Sequence, residues 1–392
     1  MIAAREIVLK PGRERPVRAG HPWIFSGAIA SGLDDVAAGD PVRVRAHDGR
    51  VLGVGYANPR TTIAVRLLSH MDEVLDAELI ARRVDEALAF RQGVLPDVTA
   101  LRLMNGEGDR LPGVVVDRYG DVLVCQLLTA GAARLGAQVL EVLQARLSPR
   151  TIYERSEGAV RREEGLADAT GVRVGEEPPV PLEIDEAGMC FLVDVVHGQK
   201  TGFFLDQREA RRLVRELARD RRVLNTFAYT GAMSVAAGLG GARSVDSVDG
   251  SRPALALAER AWERNALPAT GARWIAANVF EHLRATDETY DLVVVDPPPF
   301  VRRRGDVEAG LRGYKDVNLH AARRLEPGGL LLTCSCSQHV TREAFRETVT
   351  AAVADAGRPA ARVVAEWGHA PDHPVALAHP EGQYLKALLL AL

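Results

Sequence analysis

The sequence predicts an α/β protein whose main sheet is mostly parallel and is preceded by a small β-barrel and an α+β segment. Between residues 222 and 338, predicted strands and helices alternate, which is typical of a parallel sheet. Three of these strands lead to residues that carry candidate chemistry, namely Asp249, Asp296 and Cys336. Ligands of such sheets bind outside the carboxyl ends of the strands, so we expect these residues to share one site with Asn225 of the first strand.

Length and composition favour a globular protein of two or three domains. A chain of 392 residues is longer than one that usually folds around a single hydrophobic core. Its shares of hydrophobic (47%) and charged (26%) residues are typical of globular proteins. No apolar run approaches the roughly 20 residues that span a bilayer, and no signal-peptide core is found, so we expect a cytoplasmic protein without membrane contact. The four cysteines lack Cys-x-x-Cys spacing, which disfavours disulfides and a metal site.

The charge pattern gives no direct indication of a nucleic-acid partner. The net charge is −3, and only four of the 49 basic residues are lysines, so the chain uses arginine nearly everywhere. The cluster Arg302, Arg303 and Arg304 is therefore open to two interpretations, a solvated surface or a cationic contact.

The chain is predicted to consist of three segments, residues 1–72, 73–180 and 181–392. Residues 1–72 contain short alternating strands joined at glycine turns, which predicts the β-barrel. Trp23 lies in this segment close to several arginines. It is either a core side chain of the barrel or an RNA contact that stacks on a base.

The two later segments predict different arrangements of helices and strands. Residues 73–180 predict an amphipathic helix, three strands, a second helix and a further strand, and the polar run 157–172 predicts an exposed loop. Residues 181–392 begin with a β-hairpin. Asp206 and Gln207 then open a helix that Asp206 is suited to cap. Two strands near residue 392 complete the main sheet.

The first turn of the main sheet indicates a nucleoside site. A turn containing Gly231 follows the strand of Asn225, and Asp249 ends the next strand, where a carboxylate can bind both hydroxyls of a ribose. The motif Gly-x-Gly-x-x-Gly is absent, which disfavours a dinucleotide and favours a nucleoside without phosphates, such as S-adenosylmethionine. The alternative is an ordinary βαβ unit in which Asp249 caps the next helix.

A stiff segment follows the strand that leads to Asp296. Three consecutive prolines, residues 297–299, fix φ and remove backbone donors, so they hold Asp296 and Phe300 in place. This arrangement suits a flipped-out base, since the carboxylate accepts from an exocyclic amine and the ring stacks. A simple strand-terminating turn is the alternative.

Two cysteines end the strand that follows this segment. Cys334 and Cys336 share a face if the strand continues, or Cys336 already lies in the loop. A cysteine there is either a buried structural residue or a nucleophile level with Asp296. Further ligands for a metal do not occur at a matching spacing.

Seven segments occur in the order found in one enzyme family, over nearly the whole chain. They are GHPWIFSGAI, LPGVVVDRYGDVLVCQ, GQKTGFFLDQR, LNTFAYTGAMSVAA, DPPPF, GYKDVN and TCSCSQHV. They resemble class I S-adenosylmethionine-dependent methyltransferases, and more narrowly the RlmI-type RNA (cytosine-5-)-methyltransferases of large-subunit ribosomal RNA. The resemblance implies a PUA-like RNA-binding barrel, a central α+β domain and a Rossmann-like methyltransferase domain over the three segments.

The resemblance also implies roles for individual residues. S-adenosylmethionine is the implied cofactor, ribosomal RNA the implied partner, and Cys336 and Asp296 the catalytic residues. The cofactor contacts we expect are Phe204, Asp206, Gln207, Asn225, Phe227, Asp249 and Asn278. The substrate contacts we expect are Pro297, Phe300, Lys315 and Trp23. Two positions depart from the family pattern, because Asn278 replaces an acidic residue and three arginines replace a lysine after the prolines.

The implied reaction is nucleophilic catalysis by Cys336. Its thiolate adds to carbon-6 of cytosine, which makes carbon-5 nucleophilic, while Asp296 holds the base at its amine and ring nitrogen. A free thiol with a pKa near 8.5 is only a few per cent ionised at neutral pH, so the cationic cofactor or a nearby arginine has to favour the thiolate. The sequence does not identify the base that removes the carbon-5 proton.

Three other functions compete with this interpretation. The segment from Asp296 to Phe300 also suits an N-methyltransferase for a guanine or adenine amine, which needs no cysteine. A catalytically inactive RNA-binding assembly factor is the second alternative. A nicotinamide oxidoreductase is disfavoured because the glycine motif is missing. Apolar edges of the barrel segment are compatible with a homodimer.

Overall fold

The computed structural model describes residues 5–392, which divide into two compact units. The first unit comprises the described residues up to Leu182 together with Asp194–Phe203 and Pro371–Gly382. The second unit comprises Glu183–Val193, Phe204–Ala370 and Gln383–Leu392. Residues 1–4, the start of the predicted barrel segment, lie outside the described residues. No helix within residues 5–392 is long and apolar enough to cross a membrane.

A six-stranded mixed sheet begins the first unit. Its elements are β1 (Arg5–Leu9), α1 (Arg15–Arg18), β2 (Trp23–Phe25), β3 (Ile29–Ser31), β4 (Asp40–Arg45), β5 (Val51–Ala57) and β6 (Ile63–Ser69). The strand order is β2-β6-β5-β4-β1-β3, with β1 parallel to β4 and the other pairs antiparallel. Along β4, Val42 and Val44 are buried while the arginines beside them are partly exposed, as expected for a strand with one apolar face.

A five-stranded sheet with two long helices forms the rest of this unit. Its elements are α2 (Ala77–Val94), β7 (Ala100–Asn105), β8 (Val114–Tyr119), β9 (Val122–Leu127), α3 (Ala130–Leu147), β10 (Thr151–Ser156), α4 (Ala159–Glu163) and β11 (Ala169–Gly175). The strand order is β11-β10-β9-β8-β7. Apolar side chains of both helices, such as Val84 and Val139, pack with those of the sheet into one core.

The prediction of an exposed loop over residues 157–172 was wrong about the secondary structure, although most of these residues are exposed. This run contains α4 and the first part of β11, which pairs antiparallel with β10 at the edge of the sheet. Arg161 is buried because its guanidinium donates to the carbonyl oxygens of Leu127 and Ala167. The neighbouring strand supplies the hydrogen bonds, so the polarity of the run gave no sign of them.

The second unit contains a β-hairpin and a sheet with helices. Its elements are β12 (Leu182–Glu186), β13 (Met189–Val193), α5 (Arg208–Leu217), β14 (Arg222–Thr226), α6 (Ala232–Leu239), β15 (Ser244–Asp249), α7 (Arg252–Arg264), β16 (Ala272–Ala276), α8 (Val279–Ala285), β17 (Tyr290–Val295), α9 (Val307–Arg323), β18 (Leu325–Ser335), α10 (Arg342–Asp355), β19 (Arg362–Trp367) and β20 (Lys386–Ala391).

The predicted α/β sheet is confirmed in this unit. Its strand order is β16-β15-β14-β17-β18-β20-β19. The first five strands run parallel, and β20 is antiparallel to both of its neighbours. The chain moves outwards from β14 to β16 and then returns to place β17 on the other side of β14. Such a reversal of strand order opens a crevice at the carboxyl ends of β14 and β17.

Asp206 does not cap the helix that follows it, so that prediction was wrong. The helix α5 begins at Arg208, after a 3₁₀ turn formed by Leu205–Gln207, and its N-cap is Gln207, which makes no side-chain capping bond. The Asp206 carboxylate instead accepts a 2.6 Å hydrogen bond from the Tyr384 hydroxyl. Asp206 therefore binds Tyr384, which is 178 residues away in the chain, instead of a backbone amide of the helix that follows it.

A buried ion pair joins the hairpin to α5. Glu186 accepts two 2.7 Å hydrogen bonds from Arg211 and lies 3.0 Å from Arg208. We expect Glu186→Gln to lower the free energy of unfolding by about 3–5 kcal/mol, because two buried guanidinium groups then lose the negative charge of this carboxylate. Glu183→Gln on the same strand removes an exposed pair with Arg264 and should cost less than about 1 kcal/mol.

Urea denaturation followed by tryptophan fluorescence measures this difference, because Trp262, Trp274 and Trp367 all lie in the second unit. Equal losses for the two variants would show that the buried pair adds nothing beyond a surface pair.

Candidate active site

The register of the parallel strands aligns the candidate residues of the second unit. Thr226 of β14 pairs with Val295 of β17, which in turn pairs with Thr333 of β18. On the other side of β14, Thr226 pairs with Val248 of β15, which directly precedes Asp249. The residues that follow Thr226, Val248, Val295 and Thr333 therefore lie at one edge of the sheet. The expectation that Cys336 is level with Asp296 was wrong, since Cys334 occupies that level and Cys336 lies two residues beyond it, in the loop.

The turn after β14 has an unusual backbone. Phe227 and Tyr229 have φ values of 55° and 47°, which side-chain-bearing residues rarely adopt. Gly231 has φ 71°, and a Cβ at this position would lie 2.5 Å from the Cβ of Ala258 on α7, so only glycine fits. Strained turns of this kind cluster at ligand sites, which agrees with the predicted position of the nucleoside.

Asp249 is held by two backbone amides. Its carboxylate oxygens accept hydrogen bonds from the amides of Tyr229 (2.8 Å) and Ser251 (2.7 Å). Each oxygen has a second lone pair, so both can still accept from a hydroxyl. The alternative in which Asp249 caps α7 is excluded, because Ser251 is the N-cap and its side chain accepts from the amide of Ala254.

The side-chain amides of two other expected cofactor residues, Asn225 and Asn278, already form hydrogen bonds within the protein. Asn225 is buried, and its amide nitrogen donates to Ser234 Oγ at 2.8 Å. The exposed Asn278 caps α8, with its amide oxygen accepting from the amides of Phe280 and Glu281. The oxygen that was expected to bind an adenine amine thus already has two donors, and the group left over is the amide nitrogen, itself a donor.

Aromatic rings line this part of the second unit. The ring of Phe204 meets Tyr229 edge-on with 5.5 Å between centroids. Phe227 meets Phe300 at 6.4 Å, and Phe300 lies 4.7 Å from Tyr314. Phe300 is therefore fixed by its neighbours as well as by the prolines before it.

Asp296 is positioned by Gln207. The amide nitrogen of Gln207 donates to Asp296 Oδ1 at 2.9 Å, while its amide oxygen lies 4.0 Å from Cys334 Sγ. The amide nitrogen of Gln207 faces a carboxylate, which accepts, and its amide oxygen faces a thiol, which donates. Only one orientation of the amide allows both hydrogen bonds. Gln207 was expected to contact the cofactor, and the structure gives it contacts with Asp296 and with Cys334 of β18.

The two cysteines at the end of β18 have different surroundings. Cys334 is buried, and burial together with the nearby Asp296 carboxylate raises the pKa of its thiol well above the ordinary value. Cys334 therefore stays protonated and is a poor nucleophile. Cys336 is partly exposed, and its thiol lies 3.7 Å from the carbonyl oxygen of Pro297. Of the two, Cys336 is the thiol that a substrate can reach.

Two polar residues that support the Cys336 loop, Ser337 and Lys386, were missed in the sequence. Ser337 Oγ lies 2.8 Å from the Tyr314 hydroxyl and accepts from the amide of Val301. Lys386 Nζ donates to the carbonyl oxygens of Ser337 (2.6 Å) and Val340 (2.8 Å). The signal for Lys386 was a lysine on the apolar strand LKALLLAL of a chain that otherwise prefers arginine.

Two expected substrate residues already have partners. Lys315 on α9 forms a 2.7 Å ion pair with Asp355 at the end of α10. Trp23, in the first unit, donates from its indole nitrogen to Glu107 at 2.7 Å, and its ring lies 4.3 Å from that of His379. The expected contacts of both residues with a substrate therefore stay predictions. Within residues 5–392, no group of three or more His, Cys, Asp or Glu residues has the arrangement of a metal site.

Known proteins resemble the chain in both sequence and fold. The family model of the PUA-like domain matches residues 7–70, and that of the S-adenosylmethionine-dependent methyltransferases matches residues 121–390. Ribosomal RNA large subunit methyltransferase I of Cronobacter sakazakii is 41% identical over 386 residues, which are 97% of each chain. The protein of the same name from Shewanella denitrificans is 42% identical over 98% of this chain and 99% of its own.

Two solved structures share the fold over the whole length. SMU.776, assigned as a methyltransferase and crystallised with SAH, has a TM-score of 0.86 at 23% identity and covers 99% of this chain and 100% of its own. A structure from Streptococcus mutans assigned to the same class has a TM-score of 0.85 at 22% identity, with the same coverage. The chain therefore belongs to the S-adenosylmethionine-dependent methyltransferases, and among them to the family of ribosomal RNA large subunit methyltransferase I.

Proposed function

We propose that the protein transfers a methyl group from S-adenosylmethionine to carbon-5 of a cytosine in large-subunit ribosomal RNA. The observation that carries the proposal is the position of Cys336, a partly exposed thiol beside the segment of Asp296 and Pro297. The names of the relatives support ribosomal RNA as the substrate class. A homodimer and a cytoplasmic location stay predictions.

The strand ends of the second unit fit S-adenosylmethionine. The Asp249 carboxylate is fixed by two amides and keeps lone pairs for the two ribose hydroxyls. The strained turn of Phe227 and Tyr229 leads directly to this carboxylate, and the aromatic edges of Phe204 and Phe227 supply apolar surface for a base. When bound, the cofactor supplies an electrophilic methyl group for carbon-5.

The residues of the chain act on the base. The thiolate of Cys336 forms a bond to carbon-6, and the displaced electron pair makes carbon-5 nucleophilic. Asp296, held by Gln207, accepts from the exocyclic amine with one oxygen and, in its acid form, gives a proton to the ring nitrogen with the other. After methylation, loss of the carbon-5 proton to a base restores the double bond, the ring nitrogen returns its proton, and the thiolate leaves.

Substitution of the nucleophile tests the proposal directly. Unmodified large-subunit ribosomal RNA is incubated with labelled S-adenosylmethionine and digested to nucleosides. We expect the wild type to label 5-methylcytidine and Cys336→Ala to reduce this label by at least about 10⁴-fold, because Cys334, the other thiol at this strand end, is buried and stays protonated. Cys190→Ala, which removes a partly exposed thiol of the hairpin, should leave the label unchanged.

Other outcomes of this assay would replace the proposal. Label in a methylated guanosine or adenosine, equal for the wild type and Cys336→Ala, would favour the N-methyltransferase. An absence of label together with an absence of cofactor binding would favour the inactive assembly factor.

Asp249 tests the cofactor site. We expect Asp249→Asn to weaken binding of S-adenosylmethionine at least tenfold in isothermal calorimetry. The new amide group places a donor against the amide of either Tyr229 or Ser251 and removes an acceptor from the ribose. Asp355→Asn is the matched control, since Asp355 is exposed and pairs only with Lys315 among the described residues. Unchanged affinity for Asp249→Asn would exclude this site for the ribose.

The arginine cluster after the prolines is the best cationic contact for RNA near this site. Arg302, Arg303 and Arg304 are exposed, and the described part of the chain gives them no ion-pair partner. We expect their joint replacement by glutamine to weaken RNA binding and to reduce the slope of log K against log salt by about 2, since each lost phosphate contact on a single strand contributes about 0.7.

A matched triple variant separates local contacts from overall charge. Arg212, Arg264 and Arg346 are also exposed but pair with carboxylates, so their replacement by glutamine removes the same charge elsewhere in the second unit. Equal salt slopes for the two triple variants, measured by filter binding, would contradict a specific role for the cluster.

A further inference from the structure

Lys386 is a buried cation without a carboxylate partner. It begins β20, is 4% exposed, and lies opposite Ser335 in the antiparallel pair of β18 and β20. Burial of an ammonium group is costly unless hydrogen bonds and an opposite charge compensate. Among residues 5–392, no carboxylate lies within ion-pair distance of Lys386, although most buried cations of the chain have one.

The hydrogen bonds of Lys386 all reach the loop that carries Cys336. Nζ donates to the carbonyl oxygens of Ser337 and Val340, the first and fourth residues after Cys336. Burial lowers the pKa of Lys386 to about 8, the charge on Cys336 opposes this shift, and Arg342 adds to it. A thiolate at Cys336, directly before this loop, would therefore stabilise the ammonium.

Three groups near Cys336 do not favour its ionised form. The thiol donates to the carbonyl oxygen of Pro297, a bond that exists only while the sulfur is protonated. In the protein without RNA, the Asp296 carboxylate brings a negative charge close to the end of β18, and the Tyr314 hydroxyl, whose pKa is raised by burial, is neutral. Lys386 is thus a cation of the chain that acts on this sulfur, a role that was expected of the cofactor or an arginine.

We propose that Lys386 is a positioning residue of this methyltransferase, whose buried ammonium holds the loop after Cys336 and stabilises the Cys336 thiolate. The inference rests on the proposed function in taking Cys336 as the nucleophile. The stabilised thiolate itself is measurable without RNA, cofactor or turnover.

The test is the pH dependence of Cys336 alkylation in the full-length protein. Iodoacetamide reacts with the thiolate, and peptide mass spectrometry follows Cys336 separately from the other three cysteines. We expect Lys386→Met to raise the midpoint of the alkylation profile by about one pH unit, which is a rate about tenfold lower at pH 7. The rates should converge at high pH, where both thiols are ionised. Lys386→Arg, which keeps the charge and the donors, should restore the wild-type midpoint.

Lys315→Met is the matched control, because it removes an exposed lysine of the same unit and should leave the midpoint unchanged. A folded Lys386→Met protein with the wild-type midpoint would overturn the inference. If circular dichroism shows that Lys386→Met does not fold, Lys386→Arg decides, since a midpoint about one unit above the wild type contradicts a role for the charge. A wild-type midpoint at or above 8.5, the pKa of a free thiol, also contradicts it.

The labelling assay separates this inference from the proposed function. If the wild type labels 5-methylcytidine but Lys386→Met leaves the alkylation midpoint unchanged, only the inference about Lys386 is contradicted. If the label appears in a purine but Lys386→Met raises the alkylation midpoint, the cytosine-5 proposal is contradicted and the inference that Lys386 stabilises the thiolate holds.

Discussion

The register of the parallel strands is the constraint on which the site depends. Thr226, Val295 and Thr333 are partners across β14, β17 and β18, so the chain leaves each of these strands at the same edge of the sheet. A shift by one residue would turn every side chain of a strand to the opposite face. The buried runs of valine and leucine in these strands fix the register, because both faces of the sheet are covered. The position of Asp296 relative to the cysteines is thus decided in the core.

The sequence predicted the parts of the site that follow from a strand and its end. Asp249 and Asp296 were expected at strand ends and lie there, because apolar strands bounded by polar residues are a local pattern. The mostly parallel sheet and the separate β-hairpin before it were predicted for the same reason. The position of the two cysteines relative to Asp296 was not predicted, because it depends on the register between β17 and β18, which no local sequence pattern reveals.

The parts that were missed depend on partners far away in the chain. Asp206 was expected to cap α5 and instead accepts from Tyr384, and the end of the run 157–172 pairs with β10 as part of β11. Lys386 contacts a loop nearly fifty residues before it. In each case a polar residue has a plausible local role, and a long-range contact supplies a better partner.

The surroundings of Cys334 and Cys336 show how one strand end gives two identical side chains different chemistry. Cys334 remains within β18, where burial and the Asp296 carboxylate both disfavour a charged sulfur. Cys336 lies just past the strand, where its sulfur reaches the surface and the loop beneath it is held by Lys386. A parallel strand and the antiparallel β20 beside it are both needed for this arrangement, because β20 brings the lysine to the sheet edge from the opposite direction. The antiparallel strand therefore does more than extend the sheet, since it delivers a cation to an edge where the parallel strands supply a carboxylate and a thiol.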